Sequence, residues 1–504
     1  MRRVDGASLA IFRIAYGTIL AWEVIRFLKH GWITRYYVEP DFNFTYPGFS
    51  WVTPWSETGM YAHFGVLFAA SVAMALGWRT RISTAVVFLS FTYIFLLEQG
   101  RYLNHFYLVS LLGLLLIFLP TGQVWSLDAR RRARQRRSLP STVSSGAVWM
   151  LRFTVGLPYF FGGIAKLNSD WLAGQPMRMW LSERAESSPV GAALDSVEAA
   201  LVFSFGGLIL DLVAVPLLLW RHTRVLFLFP VLFFHCVNSH LFGIGIFPWF
   251  MLLATVVFFP PDLVRWMVRK VWVEPSRTGV VMLLVAGGAG IIALICLGKG
   301  DVIPFIAAGF AASLGVADFA RRRAGEDALP EDGLSKDGVA QEAATSRTPV
   351  WAVALATIWI CFHVTYPLRH NLIDGNVNWT EEGHAFSWHM KLRDKSSVLR
   401  FEVTDLDARR TWTVKPRDEM PRWQYAKLSK RPDLIWQYAQ HLAERERTEA
   451  TKRELVVKAH CWIRLNGRKK QRFIDPKINL VGVPRPGWGV PWILPLTEEL
   501  PPLE

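Results

Sequence analysis

Long apolar runs recur along this 504-residue chain, and they constrain its fold more than any other feature of the sequence. A helix of about 20 apolar residues crosses a hydrocarbon core of about 30 Å and satisfies its own backbone hydrogen bonds there. With 52% hydrophobic residues, the chain is too apolar for a soluble protein of this length. The runs therefore predict a polytopic α-helical membrane protein with about 11 transmembrane helices. The predicted spans are Ala7 to Phe27, Tyr61 to Leu76, Ile82 to Leu97, Tyr102 to Leu119, Val148 to Ile164, Ala199 to Trp220, Val225 to Asn238, Ile244 to Phe259, Gly279 to Leu297, Val302 to Val316 and Trp351 to Val364.

Basic residues fall in short clusters between these spans, and their distribution predicts the orientation of the chain. Threading the spans alternately places Arg2, Arg79, the cluster Arg130 to Arg137, Arg265 and Arg321 on one side of the membrane. The positive-inside rule makes that side cytoplasmic, together with the N-terminus. An odd number of spans then puts the C-terminal region outside. The net charge of +15 thus indicates membrane topology rather than a nucleic-acid partner.

Changes of composition divide the chain into three parts. Residues 1–272 predict a transmembrane core, and residues 273–366 add further helices with a polar cytoplasmic linker at 321–348. Residues 367–504 predict a C-terminal, mainly β exoplasmic domain, because their short alternating runs are typical of strands. The expected strands are Phe386 to Leu392, Val398 to Val403, Thr411 to Val414 and Cys461 to Leu465, with an amphipathic helix around Arg431 to Arg447.

Two irregular segments complete this prediction. Leu28 to Glu57 is rich in aromatic residues and prolines without a long apolar run, which favours an exoplasmic loop at the membrane interface. The proline-rich end, Val483 to Pro502, either packs over the outer domain or stays partly disordered.

A single lysine, Lys166, ends the apolar run Val148 to Ile164 within the stretch Gly162 to Trp171. An ammonium at the end of a span either extends to the headgroups, finds a partner or loses its proton. Burial disfavours the charged form of a lysine, so a desolvated Lys166 could act as a base. Position alone favours the simpler interpretation, in which Lys166 caps the span at the headgroup level.

Three other polar groups interrupt apolar segments. Asn104 and His105 begin one span, where a histidine serves either a helix–helix hydrogen bond or catalysis. Asp211 lies in the middle of another, and a buried carboxylate there needs a basic or hydroxyl partner on a neighbouring helix. The stretch from Phe234 to Gly245, with His235 and Asn238, predicts a broken or re-entrant turn that lines a cavity.

The alternating topology brings His105, Lys166 and the turn at His235 to the same exoplasmic level. We expect a pocket there, rimmed by aromatic side chains, that suits an amphipathic ligand such as a quinone. The rim residues are Tyr102, Phe106, Tyr159, Phe160 and Trp171. The sequence shows no metal-ligand spacing, phosphate-binding loop or dinucleotide fingerprint, and no metal is predicted.

Four motifs in order resemble the vitamin K-dependent gamma-glutamyl carboxylase family, whose membrane part is shared with bacterial HTTM proteins. They are Phe160 to Trp171, Gly207 to Leu212, Phe234 to Phe247 and Trp379 to Trp388. The resemblance runs from the first helix to about Lys395, and the region Gly279 to Thr348 departs from it as an inserted helical pair with a linker. It implies an integral membrane enzyme that couples oxidation of reduced vitamin K, with O2, to addition of CO2 to a peptide glutamate.

The resemblance also implies roles for individual residues. Lys166 matches the base that deprotonates the hydroquinone, which then reacts with O2 to give an alkoxide strong enough to remove the glutamate γ-proton. His105 matches a histidine that hydrogen-bonds the oxyanion. The residues expected to line the quinone pocket are Asn104, His235, Asn238, Tyr159 and Trp171, and Asp211 is expected to support the architecture.

The partners implied are the lipid bilayer, a phylloquinone- or menaquinone-type hydroquinone and a glutamate-containing polypeptide, with no nucleic acid. The location implied is a bacterial inner membrane with a periplasmic C-terminal domain, or the endoplasmic reticulum membrane in a eukaryotic host. Two alternatives remain at this point. One is a quinone- or lipid-binding sensor or transporter, and the other is a family enzyme that uses the same strong base on a different substrate.

Overall fold

Helices dominate the described part of the chain, which in this computed structural model comprises residues 2–137, 140–186, 191–297, 302–326, 349–447 and 454–503. The predicted linker at 321–348 lies outside these ranges from residue 327 onward. The helices of the membrane part are α1 (Ala7–Lys29), α2 (Trp32–Tyr37), α3 (Glu57–Leu76), α4 (Thr80–Leu96), α5 (Asn104–Phe118), α6 (Leu127–Arg134), α7 (Ser145–Ala165), α8 (Ser169–Leu172), α9 (Met177–Ala185), α10 (Gly191–Leu194), α11 (Val197–Leu219), α12 (Arg224–Phe242), α13 (Phe247–Ala254), α14 (Leu263–Val268), α15 (Arg277–Leu297), α16 (Val302–Arg323) and α17 (Val350–Thr365).

Each of the apolar segments predicted from the sequence overlaps one of these helices, and Ile244 to Phe259 covers α13 together with a 3-10 helix at Thr255–Phe258. Among the described residues, 7 helices are long and apolar enough to cross a membrane. An eighth span is possible if Phe247–Phe258 and Leu263–Val273, which are bent by 99°, count as one. The helices Thr80–Leu96, Asn104–Phe118 and Arg277–Ala293 are apolar but shorter. The chain is therefore a polytopic helical membrane protein, and the count of 11 spans stays a prediction.

Basic residues gather at one end of the helix bundle. The short strands β1 (Arg3–Asp5) and β2 (Thr142–Ser144) pair there, and Arg265 donates to Asp5. The C-terminal domain contacts the opposite helix ends, where the first residue of α5, Asn104, bonds His389. This separation is what the charge pattern predicts, and the assignment of the basic end to the cytoplasm stays a prediction.

The C-terminal domain is a four-stranded antiparallel sheet packed against helices. The strands β3 (Lys395–Asp405), β4 (Arg410–Val414), β5 (Leu455–Leu465) and β6 (Gln471–Arg472) lie in the order β4-β3-β5-β6. The helices of this domain are α18 (Val377–Thr380), α19 (Pro416–Glu419), α20 (Arg422–Leu428) and α21 (Pro432–Glu446). Alternate residues of β3, such as Phe401 and Val403, are buried against α21, which is the longest of them. Three of the four predicted strands and the amphipathic helix are confirmed.

The fourth predicted strand, Phe386 to Leu392, is wrong. Phe386, Trp388 and Lys391 have positive φ angles of 63°, 60° and 51°, which are incompatible with an extended strand. The segment instead turns repeatedly and reaches down to α5, where the backbone N–H of Phe386 donates to the Tyr102 hydroxyl at 2.6 Å. Trp388 is fully buried in the core of the membrane part. Side-chain alternation alone could not reveal this, because the turns keep the same apolar pattern.

Two irregular segments also carry tertiary contacts. In the loop Leu28 to Glu57, Phe44 is fully buried in the core of the C-terminal domain rather than at an interface with lipid. In the proline-rich end, Trp492 is buried in the same core, and the backbone C=O of Leu494 accepts the indole N–H of Trp379 at 2.7 Å. Packing over the domain, one of the two predicted alternatives, is the arrangement observed.

The predicted broken turn at Phe234 to Gly245 is also corrected. His235, Asn238 and His240 lie within α12, which continues to Phe242 and ends where Gly243 takes φ 56°. The irregular backbone is limited to the few residues before α13, and Gly245 also has a positive φ of 68°. His235 and Asn238 are therefore held on a regular helix.

Candidate active site

A cavity of about 740 Å³ extends from the helix bundle into the C-terminal domain. One end is lined by α5, α7, α11 and α12, and the other by the segment after α18 and by α20. The cavity is lined by all the residues predicted for the site, which are Asn104, His105, Tyr159, Lys166, Trp171, Asp211, His235 and Asn238. Of the predicted aromatic rim, Tyr102 also lines the cavity, whereas the Phe160 side chain is half exposed on the outer side of α7.

Lys166 is paired with Asp211 in the membrane end of the cavity. The Nζ of Lys166 bonds Oδ2 of Asp211, and the two residues are only 6% and 4% exposed. The pair requires α7 and α11 to approach closely. At Gly163 a Cβ would lie 2.7 Å from the Leu212 side chain and 3.1 Å from its backbone nitrogen, so a larger residue would separate the helices.

The chain stops being helical at Lys166 for a local reason. The Asn168 side chain accepts the N–H of Trp171 at 3.0 Å and so starts α8 immediately after α7 ends. The Trp171 indole N–H donates to the Ser204 carbonyl at 2.8 Å, which fixes the ring beside the lysine. Lys166 Nζ lies 5.4 Å from the centre of that ring. The lysine is thus held against an aromatic wall and a carboxylate.

Several predicted ligand-binding residues already have their polar atoms engaged. Asn104 accepts from the Tyr102 hydroxyl at 2.8 Å and donates to the backbone of His389 at 3.0 Å. The Tyr159 hydroxyl and Nε2 of His235 form a buried hydrogen bond of 2.6 Å. These side chains shape the wall of the cavity. Asn104 connects the membrane part to the C-terminal domain, and the Tyr159–His235 bond connects α7 to α12.

His105 and Asn238, in contrast, keep polar atoms available to a ligand. Both are half buried and line the cavity, and neither side chain has a hydrogen-bond partner within the described residues. The His105 ring stacks on Phe247, with centroids 5.6 Å apart, which fixes its plane. A ligand oxygen at this end therefore meets an imidazole, an amide and the Lys166–Asp211 pair.

The other end of the cavity is strongly basic. Its lining cations are Lys391, Arg393, Lys395, Lys427, Lys430 and Arg431. Arg393 and Lys395 both bond Glu381, the Lys395 contact measuring 2.6 Å. The other four cations form no ion pair within the described residues, although Asp394 and Glu381 lie near enough to favour the charged forms of Lys391, Lys430 and Arg431. This end suits a carboxylate ligand.

Burial and mutual repulsion shape the charges at the basic end. Burial, together with Arg431 and Lys430, lowers the pKa of Lys427 to about 7. Burial and Arg393 hold the pKa of His384 well below its ordinary value, so its ring is neutral. Both ring nitrogens of His389 are buried without a partner among the described residues. An added anion would relieve this excess of positive charge.

The wall between α11 and α12 is open in the apolar zone of the cavity. Val202, Ile209 and Phe233 line the cavity, and their side chains are 67%, 56% and 66% exposed. At Gly206 a Cβ would meet no atom within 4 Å. The cavity is therefore accessible from the side through a gap with apolar walls.

Sequence reasoning missed the basic end and the partner of Lys166. The runs Lys391 to Lys395 and Lys427 to Arg431 are visible in the sequence, yet charged runs of this kind are usually solvated surface. Only the fold turns them toward one cavity. Asp211 was expected to need a basic partner, and the close approach of two helices identifies that partner as Lys166.

Comparison with known families gives two matches. The model of the HTTM domain matches residues 1–263, and the model of the vitamin K-dependent gamma-carboxylase lumenal domain matches residues 348–499. The second match extends well past Lys395, where the motif resemblance ended, and residues 264–347 fall in neither match. No solved structure matches the chain.

The buried pair yields a stability prediction. Asp211→Leu leaves the Lys166 ammonium buried without a partner, and we expect the free energy of unfolding to fall by about 3–5 kcal/mol. The double variant Lys166→Met/Asp211→Leu should recover much of this loss, because two apolar side chains need no partner. Denaturant unfolding in detergent measures both. Glu419→Gln, which breaks the partly exposed pair with Arg445, serves as the control and should change stability by less than about 1 kcal/mol. A double variant as unstable as Asp211→Leu would contradict the role of the pair.

Proposed function

We infer the function of this chain from its family, because the chain belongs to the HTTM-domain proteins and, with its C-terminal domain, to the vitamin K-dependent gamma-carboxylases. It is a gamma-carboxylase-like integral membrane protein. We propose that it oxidises a vitamin K hydroquinone with O2 and carboxylates the γ-carbon of a glutamate in a polypeptide. We further propose that the C-terminal domain faces the periplasm of a bacterial inner membrane.

The proposed reaction has two coupled halves that balance. Hydroquinone and O2 give the epoxide and water, so that one oxygen atom of O2 enters the epoxide and the other leaves as water. Replacement of one γ-hydrogen of glutamate by CO2 gives a second carboxylate and releases one proton. Oxidation of the hydroquinone supplies the strong base that removes the γ-hydrogen, and the protein must hold both substrates against each other.

One observation carries this proposal: a single cavity joins the buried Lys166–Asp211 pair among the helices to a basic end in the outer domain. A quinone ring fits the first end, where His105 and Asn238 offer hydrogen bonds to its oxygens. A glutamate side chain fits the second, where four cations form no ion pair within the described residues. The apolar walls between them exclude water that would protonate a strong base.

In this proposal Lys166 and Asp211 accept the first hydroquinone proton as a unit. With one shared proton, the pair is either ammonium and carboxylate or amine and carboxylic acid, and both forms can take one more proton. Asp211 is thereby more than architectural support. In the same proposal His105, whose side chain lines the cavity, hydrogen-bonds the deprotonated oxygen.

The gap between α11 and α12 gives the quinone a route from the bilayer. An isoprenoid tail can lie along the apolar side chains of Val202, Ile209 and Phe233 while its ring reaches Lys166. The tail then never leaves an apolar environment, so entry requires no desolvation of polar groups on that path.

The central experiment is incorporation of labelled CO2 into a glutamate peptide, together with epoxide formation, by detergent-purified protein. We expect Lys166→Ala to lose both products by about 100-fold or more, since general-base groups contribute about 10²–10⁴ in rate. Lys29→Ala, at the exposed end of α1, is the control and should retain both. Full activity of Lys166→Ala would refute the base. Epoxide without label in the wild type would favour a different carbon acid as substrate, and neither product would favour a binding protein.

The basic end predicts a pH dependence of peptide binding. The pKa of Lys427 is lowered to about 7, so the side chain is cationic below that pH and neutral above it. We therefore expect the KM for a glutamate peptide to rise severalfold between about pH 6.5 and pH 8.5 as one cation is lost. The variant Lys427→Arg keeps a positive charge throughout this range and should flatten the rise. An identical pH profile of KM in both proteins would show that Lys427 does not bind the substrate.

The lateral gap predicts selectivity for quinone length. Gly206→Leu places a side chain in the gap where a Cβ meets no atom, so we expect kcat/KM for a long-chain hydroquinone to fall about tenfold. The tailless 2-methyl-naphthohydroquinone should react as in the wild type. Gly65→Leu, at an equally open glycine of α3, is the matched control. Equal losses with both quinones would exclude the gap as the path of the tail.

A further inference from the structure

A buried polar cluster, which we name the interdomain node, joins the segment after Lys166 to the C-terminal domain. It consists of Asp170, Asn466 and Arg468, which are 2%, 0% and 6% exposed. Arg468 donates to both carboxylate oxygens of Asp170, at 2.6 and 2.7 Å. The Asn466 amide donates to the same carboxylate at 2.7 Å. A bidentate ion pair of this kind fixes the relative orientation of the two side chains as well as their distance.

The same asparagine also holds the basic end of the cavity. The backbone N–H of Asp394 donates to Oδ1 of Asn466 at 2.7 Å, and the Asn466 N–H donates to the Asp394 carbonyl at 2.9 Å. Asp394 lies between Arg393 and Lys395, both of which line the cavity and bind Glu381. Asn466 has φ 49°, a left-handed conformation that asparagine tolerates better than most residues.

On the membrane side, the node holds the short segment that carries the base. Asp170 is four residues after Lys166 and belongs to α8, whose first turn is closed by the Asn168 side chain. The Asp170 carbonyl accepts the N–H of Gln175 at 2.8 Å, which holds the chain beyond α8 as well. Short stretches of backbone thus connect the two ends of the cavity through one buried cluster.

We propose that the interdomain node is a positioning device that sets the distance between the Lys166–Asp211 pair and the substrate carboxylate. This rests on the proposed function. A strong base produced at the quinone must reach the γ-hydrogen of the glutamate before it takes a proton from water. A misplacement of the reacting groups by about 1 Å can reduce the rate about 100-fold. Loosening the node leaves hydroquinone and O2 free to give epoxide and water, while CO2 is no longer fixed. The node therefore couples the two half reactions.

A second interdomain contact provides a matched comparison. Arg485 donates to both carboxylate oxygens of Asp433, at 2.8 and 2.9 Å, and to the carbonyl of Thr45 at 2.5 Å. It also connects the outer domain to the membrane part, but none of its partners belongs to the Lys166 segment. Loss of this contact should weaken the interface without changing the alignment of the site.

The experiment measures moles of epoxide formed per mole of CO2 fixed, with the full chain in lipid nanodiscs. We expect Arg468→Lys to raise this ratio about tenfold, whereas Arg485→Lys keeps the wild-type ratio. Asn466→Gly, which removes the amide but tolerates the positive φ, should also raise it. Hydrogen–deuterium exchange gives a readout independent of turnover: the peptide containing Lys166 to Gln175 should exchange faster in Arg468→Lys and Asn466→Gly only.

The outcomes separate this inference from the proposed function. If the wild type forms neither product, the proposed function fails and the coupling role fails with it. If the wild type is active and the node variants lose epoxide and carboxylation in parallel, the function stands and the positioning role is overturned. Unchanged exchange at Lys166 to Gln175 in Asn466→Gly would also overturn it. A raised ratio in Arg485→Lys would overturn the specific role of the node, because any loosening of the interface would then uncouple the reactions.

Discussion

The buried ion pair between Lys166 and Asp211 is the interaction on which the rest of the membrane core depends. Neither charge can stay in an apolar environment alone, because removing an ion from water costs several kcal/mol even after relaxation. Their contact requires α7 and α11 to approach at Gly163, where a Cβ would clash with Leu212. Fixing these two helices also fixes Trp171 and the side of the cavity that receives the quinone in the proposed function. In the proposed function, one contact therefore meets both a catalytic requirement and a packing requirement.

The two ends of the cavity differ in their balance of charge. The membrane end keeps its charges balanced, so that a neutral, amphipathic ligand can enter without leaving a charge unpaired. The basic end in the outer domain carries four cations that form no ion pair within the described residues. Burial and neighbouring cations lower the pKa of Lys427 there to about 7, so an added anion stabilises this end. The neutral side chains of His384 and His389 add hydrogen-bonding groups to the basic end without adding charge. In the proposed function, this difference in charge orders the two substrates along the cavity, with the oxidisable ring at the membrane end and the glutamate carboxylate at the basic end.

Hydrophobic runs and alternation predicted the helices and most of the sheet, since burial in lipid or against one face leaves a strong local pattern. They failed where tertiary contacts override that pattern. Phe386 to Leu392 alternates like a strand but turns to reach Tyr102, and Asn238 lies on a helix despite the polar residues around it. The sequence could predict that Lys166 and His105 line a cavity, because polar side chains are rare in membrane spans. The sequence could not predict this for Lys427 and Lys430, because lysines in such a run are usually solvated. Only the folded domain places them in the wall of the cavity.

No described residue of the part of the chain that departs from the family lines the cavity. The lining residues of the described ranges lie between Tyr102 and Met251 or between Glu381 and Arg431. The helical pair α15 and α16 packs on the outside of α12, where a Cβ at Gly315 would lie 3.0 Å from Leu228 and Asp318 pairs with Arg224. That contact supports the helix that carries His235 and Asn238 without supplying a group to the site. The added pair can therefore alter how firmly α12 is held, and with it the gap to α11, while the groups proposed for the chemistry stay unchanged.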